Sequence, residues 1–243
     1  TVNSGGQITN NSGQTLTIAD GTGTDLTVNG YIQSIGTLTL TGTGIVNSGG
    51  VYEHNRTISS GNLTFPVFTY NTGGKVKVTG TYTYTAGSGP SFPAGTYADV
   101  EFDCNVVTAD SYIQFSNAST NINGELRITA TGNGAILMAG SSNTNQTCAS
   151  FVLTAGNVFI NRQASGARSL TVTGNAIING GELRIKTGTS SAQNAILNVG
   201  GDLTLGASGT ISNVTTSGSS YINFNGSTAQ TFTRTGTLSS GVG

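Results

Sequence analysis

The chain has no tryptophan, one histidine, one methionine, two cysteines and three prolines in 243 residues. Each scarcity removes a class of chemistry. His54, alone, cannot build a histidine metal centre, and two cysteines cannot build a thiolate-only one. Lysine and arginine total 9 against 10 acidic residues, a net charge of −1. With no basic stripe, nucleic-acid binding has no electrostatic footing. No apolar run approaches the ~18 residues of a membrane span, so membrane insertion is not expected. The opening Thr1-Val2-Asn3 lacks the charged and apolar regions of a signal peptide, which reads as a mature protein or an internal fragment. Charged residues are only 8% of the chain, against roughly 25% in ordinary soluble domains. Low proline and low net charge together argue against disorder.

Glycine, serine, threonine and asparagine fill the gap, and they punctuate short apolar alternations. Leu16-Thr17-Ile18, Leu26-Thr27-Val28, Leu38-Thr39-Leu40 and Ile45-Val46 open the chain in this manner. Leu170–Val172, Ala176–Ile178, Leu183–Ile185, Ala195–Leu197 and Leu203–Leu205 continue it. Alternation of period two marks strands, and Asn-Gly clusters mark corners where positive φ is tolerated. The phrase Gly181-Glu182-Leu183-Arg184-Ile185 returns twenty positions later as Gly201-Asp202-Leu203-Thr204-Leu205, and an upstream copy reads Gly124-Glu125-Leu126-Arg127-Ile128. Strand-and-turn units at this spacing predict an all-β chain, a single parallel β-solenoid with no significant helix and about 20–24 residues per turn. At one strand spacing per turn the rod is on the order of 50 Å long. Asparagines at equivalent strand ends, Asn123, Asn179 and Asn198, are expected to stack rung upon rung.

The whole chain, residues 1–243, reads as one solenoid domain. Residues 51–115 form an irregular section that holds every proline and most aromatics, and residues 116–243 return to regular repeats. The strand Lys75–Tyr84 puts Val76, Val78, Tyr82 and Tyr84 on one face and Lys75, Lys77, Thr81 and Thr83 on the other.

Candidate sites are few. Asp99, Glu101 and Asp103 alternate with Val100, Phe102 and Cys104, so the three carboxylates share a face. That face suits Ca²⁺ or carboxylate acid–base work on sugars, or serves as a solvated outer surface. Tyr52, Tyr70 and Tyr97 are candidate glycan contacts. Cys104 and Cys148 read either as a disulfide or as two buried apolar side chains. His54 is expected on the surface or in a turn. Arg184-Ile185-Lys186 invites comparison with the active-site strand of polygalacturonases. The adjacent aspartates and the Gly-His-Gly of that family are absent, and Arg127 repeats the position, so Arg184 reads as a rung residue paired with Glu182 or with a neighbouring rung. Asn-x-Ser/Thr sequons occur at Asn10, Asn55, Asn62, Asn117, Asn145, Asn213 and Asn225.

The phrases Gly36-Thr37-Leu38-Thr39-Leu40-Thr41-Gly42, Phe92-Pro93-Ala94-Gly95-Thr96-Tyr97, Asn121-Ile122-Asn123-Gly124-Glu125-Leu126 and Phe224-Asn225-Gly226-Ser227-Thr228-Ala229-Gln230-Thr231 resemble the repeats of very large secreted surface proteins of Bacteroidota, cargo of the type IX secretion route. The resemblance implies an extracellular, cell-surface adhesin or filament segment without catalysis and without a cofactor. No polar capping helix is visible at either end, so the expected partner is a further rung, from a longer chain or from end-to-end self-association. Surface glycans are a second expected partner. The alternative is a carbohydrate-binding or carbohydrate-active β-helix, lyase- or hydrolase-like.

Overall fold

The computed structural model describes residues 1–116, 120–140, 145–162, 166–187, 193–213, 219–239 and 242. The sequon at Asn117 lies outside them. Every element among the described residues is a strand, and the strands stack in parallel as a β-solenoid. Its main wall runs through Gln7–Asn10, Tyr31–Ser34, Val51–His54, Lys75–Val78, Asp99–Val106, Glu125–Gly132 and Ser150–Leu153. The first parts of Ala176–Lys186 and Leu203–Asn213, then Phe232–Arg234, complete it. A second wall precedes each of these strands, as in Asn145–Cys148, Gly166–Val172, Gln193–Val199 and Ser219–Phe224. A third wall follows them, as in Tyr112–Gln114, Ala135–Ala139 and Asn157–Asn161.

Parallel pairing in register places equivalent residues directly above one another. One inward column of the main wall reads Ile8, Ile32, Tyr52, Val76, Val100, Leu126, Phe151, Ala176, Leu203, Phe232. From Ile32 to Leu203 these side chains are at most 1% exposed. Buried apolar area is the main stabilising term, and here it is continuous along the axis.

The rung spacing is 20–24 residues as far as Val100 (Ile32 to Tyr52, Val76 to Val100). It is longer beyond, 26 between Val100 and Leu126, 25 at each of the next two rungs, 27 between Ala176 and Leu203 and 29 between Leu203 and Phe232. The twenty-residue echo of Gly181–Ile185 in Gly201–Leu205 is therefore not the rung. Leu203 lies on Ala176, whereas Leu183 lies on Ile211 in the third wall. The upstream copy belongs with Leu203 instead, since Leu126, Phe151, Ala176 and Leu203 form one column. Similar strand chemistry recurs on different walls because each wall needs the same in–out alternation.

Corners reuse one solution in the first half. Asn3-Ser4-Gly5-Gly6, Asn47-Ser48-Gly49-Gly50 and Asn71-Thr72-Gly73-Gly74 each close with the last glycine N–H donating to the asparagine C=O, at 2.8, 2.8 and 2.7 Å. Asn47 Nδ2 donates to Asn29 Oδ1, and Asn71 Nδ2 to Asn47 Oδ1, both at 2.7 Å. Asn223 Nδ2 likewise donates to Asn198 Oδ1 at 3.0 Å. The expected stacking of asparagines thus occurs at Asn198, and at further positions.

The third wall is interrupted above Thr37–Leu40. Thr37–Leu40 pairs downward with Thr15–Ile18, but no strand pairs with its upper edge among the described residues. The next rung diverges after His54, and its Ile58 bridges upward to Tyr82. The wall is split between these two rungs.

The two corner glycines make a sharp test. Gly49 has φ +76°, and a Cβ added there would meet nothing within 4 Å, so Gly49→Ala is expected to cost only backbone strain, about 1–2 kcal/mol. At Gly50 a Cβ would meet the Val28 carbonyl oxygen at 2.2 Å. Gly50→Ala is expected to lower the guanidinium unfolding midpoint further than Gly49→Ala; equal shifts would contradict the packed corner.

Candidate functional site

The carboxylates Asp99, Glu101 and Asp103 lie on the outer face of Asp99–Val106, as alternation requires. Stacking decides what they do there. The outward column of the main wall reads Gln33, Glu53, Lys77, Glu101, Arg127, with charge alternating in sign from Glu53 onward. Like charges directly opposite each other would be destabilising, so an in-register ladder tolerates charge only in alternation. Lys75 Nζ lies 2.7 Å from Glu101, and Lys77 Nζ is 3.2 Å from both Glu101 and Asp103. Burial pushes the Glu101 carboxyl up, but the two lysines outweigh it and hold it below the usual range. Asp99 Oδ1 instead accepts the Glu125 N–H at 2.8 Å, pinning the next corner. The three carboxylates thus share a face but not a common centre. Among the described residues, no three His, Cys, Asp or Glu side chains are arranged to hold a metal ion.

Arg184 pairs with Glu182 at 2.8 Å, as the rung reading expects, and Ser212 Oγ donates to the same carboxyl at 2.5 Å. Arg127 turns sideways in the same way, onto Glu125 at 2.7 Å.

The tyrosines named as glycan contacts are placed otherwise. Tyr52 is 1% and Tyr97 5% exposed. Tyr70 is half-buried, its hydroxyl enclosed. They belong to an aromatic core that fills the irregular section, with Phe92 at its hub, 5.3 Å from Phe65, 5.1 Å from Tyr97 and 4.9 Å from Phe115 between ring centroids. Tyr52 is in the inward column between Ile32 and Val76, so register turns its ring inward.

The cysteines are both free and buried. Cys104 follows Phe102 at the end of the main-wall segment, with Sγ 3.9 Å from the Ala130 carbonyl. Cys148 stacks beneath Val172 and Val199 in the second wall. The 44-residue separation is not two rungs in this part of the chain, where spacing is 25 or more, so the disulfide reading is replaced by two apolar fillers. Burial pushes both thiols up, Cys148 to about 12.

His54 is a correction too. It is 1% exposed, in the inward column between Ser34 and Val78. Its ring lies 4.8 Å from Phe65, and Nδ1 is 3.4 Å from the Tyr52 hydroxyl. Nε2 finds no hydrogen-bond partner. Burial, aided by nearby Arg56, lowers its pKa to about 3. His54 borders a cavity of about 210 Å³ in the split of the third wall, between Thr37–Leu40 and Thr64–Val67. Arg56 borders the same cavity and a second of about 310 Å³ beside it. Among the described residues Arg56 makes no ion pair and no side-chain hydrogen bond. No family model, no curated protein and no solved structure matches the chain.

Arg56 did not stand out in the sequence, and His54 stood out only as the lone histidine. The signal that bears on them is that no strand after His54 continues the stacked pair Leu16-Thr17-Ile18 and Leu38-Thr39-Leu40 among the described residues.

The imidazole makes stability depend on pH with a defined sign. An unfolded His54 takes up a proton near pH 6.5 and the folded one only near 3, so protonation favours unfolding. Its contribution is whole above pH 6.5 and declines towards pH 3 by ~4 kcal/mol. His54→Phe is expected to flatten that window in denaturant titrations run at several pH values. A His54 ring proton titrating near pH 6.5 by NMR in the folded chain would contradict the buried, neutral imidazole.

Proposed function

We propose that the chain is a non-enzymatic structural and adhesive segment of an extracellular or cell-surface filament or adhesin. The observation that carries this reading is the unbroken main wall, which stacks from Gln7–Asn10 to Phe232–Arg234. A parallel ladder of this kind extends along one axis by adding rungs, each contacting only its neighbours. The added rungs come from the same polypeptide or from another copy stacked on the end.

The surface chemistry supports the same reading. Thr15, Thr17, Thr37 and Thr39 present hydroxyls outward on two paired strands. Thr204 and Thr233 do so further along. Such a wall is wettable with little charge, and much of the charge on it is neutralised between rungs. The carboxylates best suited to acid–base chemistry are held by lysines and a backbone amide rather than aimed together at a shared space. An extracellular setting also suits a chain whose polarity comes from neutral hydroxyls and amides.

Immunogold labelling of intact source cells, with negative-stain microscopy of the native protein, tests this. Gold on the outer surface and elongated rods or fibres are expected. Label confined to the cell interior, with compact particles that do not associate, would overturn the reading.

A further inference from the structure

The split in the third wall has features that a filament does not need. In the Thr37–Leu40 strand, Thr37 N–H donates down to Gln14 at 2.8 Å and Thr41 N–H to Ile18 at 3.1 Å. Peptide groups alternate along a parallel strand, so those of Leu38 and Leu40 face the opposite edge. That edge is unpaired among the described residues and opens on the cavity beside Arg56. An unpaired strand edge is normally covered or charged. Here it faces a space bordered by Thr37, Thr39 and Thr64 and by the Phe65 ring.

The charges are unbalanced at the same place. The nearest acid on this rung, Glu53, points to the opposite face, where Gln33 Nε2 donates to it at 3.1 Å and Thr79 also binds it. Lys75, Lys77, Arg127 and Arg184, on other rungs, have each found a carboxylate. Arg56 has none, yet it is only half-exposed and borders two cavities. A guanidinium so placed suits a carboxylate, which it binds through paired N–H donors. His54, neutral and almost wholly buried, lines the cavity with Nε2 unpartnered.

We propose that this seam binds a polyhydroxylated carboxylate, a uronic-acid unit. Arg56 takes the carboxylate. The free edge at Leu38 and Leu40, with the threonine hydroxyls, takes the sugar hydroxyls. Phe65 lies against the apolar face of the ring. Thr64, Phe65, Pro66 and Val67 line the same cavity as Leu38 and Leu40, and its volume of about 210 Å³ suits one sugar-sized unit. Val67, 85% exposed at the rim, is where the rest of a polymer would pass. The site holds whether or not the chain forms filaments, because it is complete within the first three rungs.

Calorimetry of the full chain with sodium galacturonate and sodium glucuronate tests the proposal, with galactose, acetate and an acidic tetrapeptide as comparison probes. At least one uronate is expected to bind, more tightly than galactose or acetate. Arg56→Gln is expected to weaken it about tenfold or more, with circular dichroism and unfolding midpoint unchanged. Thr39→Val, which keeps the strand and removes one hydroxyl, is expected to weaken it less. No uronate binding, binding indifferent to Arg56→Gln, acetate binding as well as the uronates, or tetrapeptide binding in their place would each overturn the proposal.

Discussion

In-register parallel stacking is the constraint on which the rest of this structure depends. Each residue of a wall has a counterpart about 4.8 Å above and below it. Whatever chemistry occupies one rung must therefore tolerate its like, or its complement, on the next. Inward positions satisfy this with apolar side chains, which gain from being stacked. Asparagines satisfy it because an amide both donates and accepts, as Asn29, Asn47 and Asn71 do in succession. Charges satisfy it by alternating, as the Glu53–Lys77–Glu101–Arg127 column does, or by taking a backbone donor, as Asp99 does from the Glu125 N–H. The low charge of the whole chain follows from the same rule, since few sequences can keep charges complementary over many rungs.

Where that rule lapses, the structure changes character. Between His54 and Phe115 large rings centred on Phe92 fill the interior. The third wall is interrupted below this aromatic section, leaving the Thr37–Leu40 edge without a paired strand among the described residues. Polar groups enter an inward column there: Asn10, Ser34 and His54 precede Val78, Phe102 and Ile128. Asn10 and Ser34 find carbonyls, Thr37 at 2.7 Å and Gly36 at 3.0 Å, whereas His54 Nε2 does not. The unpaired cation Arg56 follows directly. The second wall is likewise divided, into sheets Thr24–Val28/Thr43–Val46/Phe68–Tyr70, Gly95–Tyr97/Thr120–Ile122 and Asn145–Cys148 onward, whereas the main wall keeps its stacking throughout.

The fold class was legible because alternation and glycine-rich corners are local signals. So was the structural role of Arg184, although the choice between Glu182 and a neighbouring rung as its partner was settled only by the fold. The rung length was not. Leu183 and Leu203 sit in similar phrases on different walls, and only the three-dimensional path tells a repeat of wall chemistry from a repeat of the rung. The roles of Tyr52, Tyr70 and His54 were hidden for a related reason. Aromatic and polar residues in an irregular section look like surface features until the interior that they fill is seen. The cysteine pairing failed on the same ground, since a separation of 44 carries meaning only once the local spacing is known. Arg56 was invisible because what marks it is the partner it lacks.

Register is thus the claim to test first. In a chain with Cys104 and Cys148 replaced by alanine, Ile177→Cys with Thr204→Cys places two outward thiols on directly paired residues, within the Cα separation that a disulfide bridges. Arg184→Cys with Thr204→Cys instead joins the positions that the twenty-residue echo would align. Mild oxidation, scored by peptide mapping of the cross-link, is predicted to join 177 to 204 readily and to leave 184 and 204 apart. Efficient cross-linking of 184 to 204, with none between 177 and 204, would contradict the stacking on which the account is built.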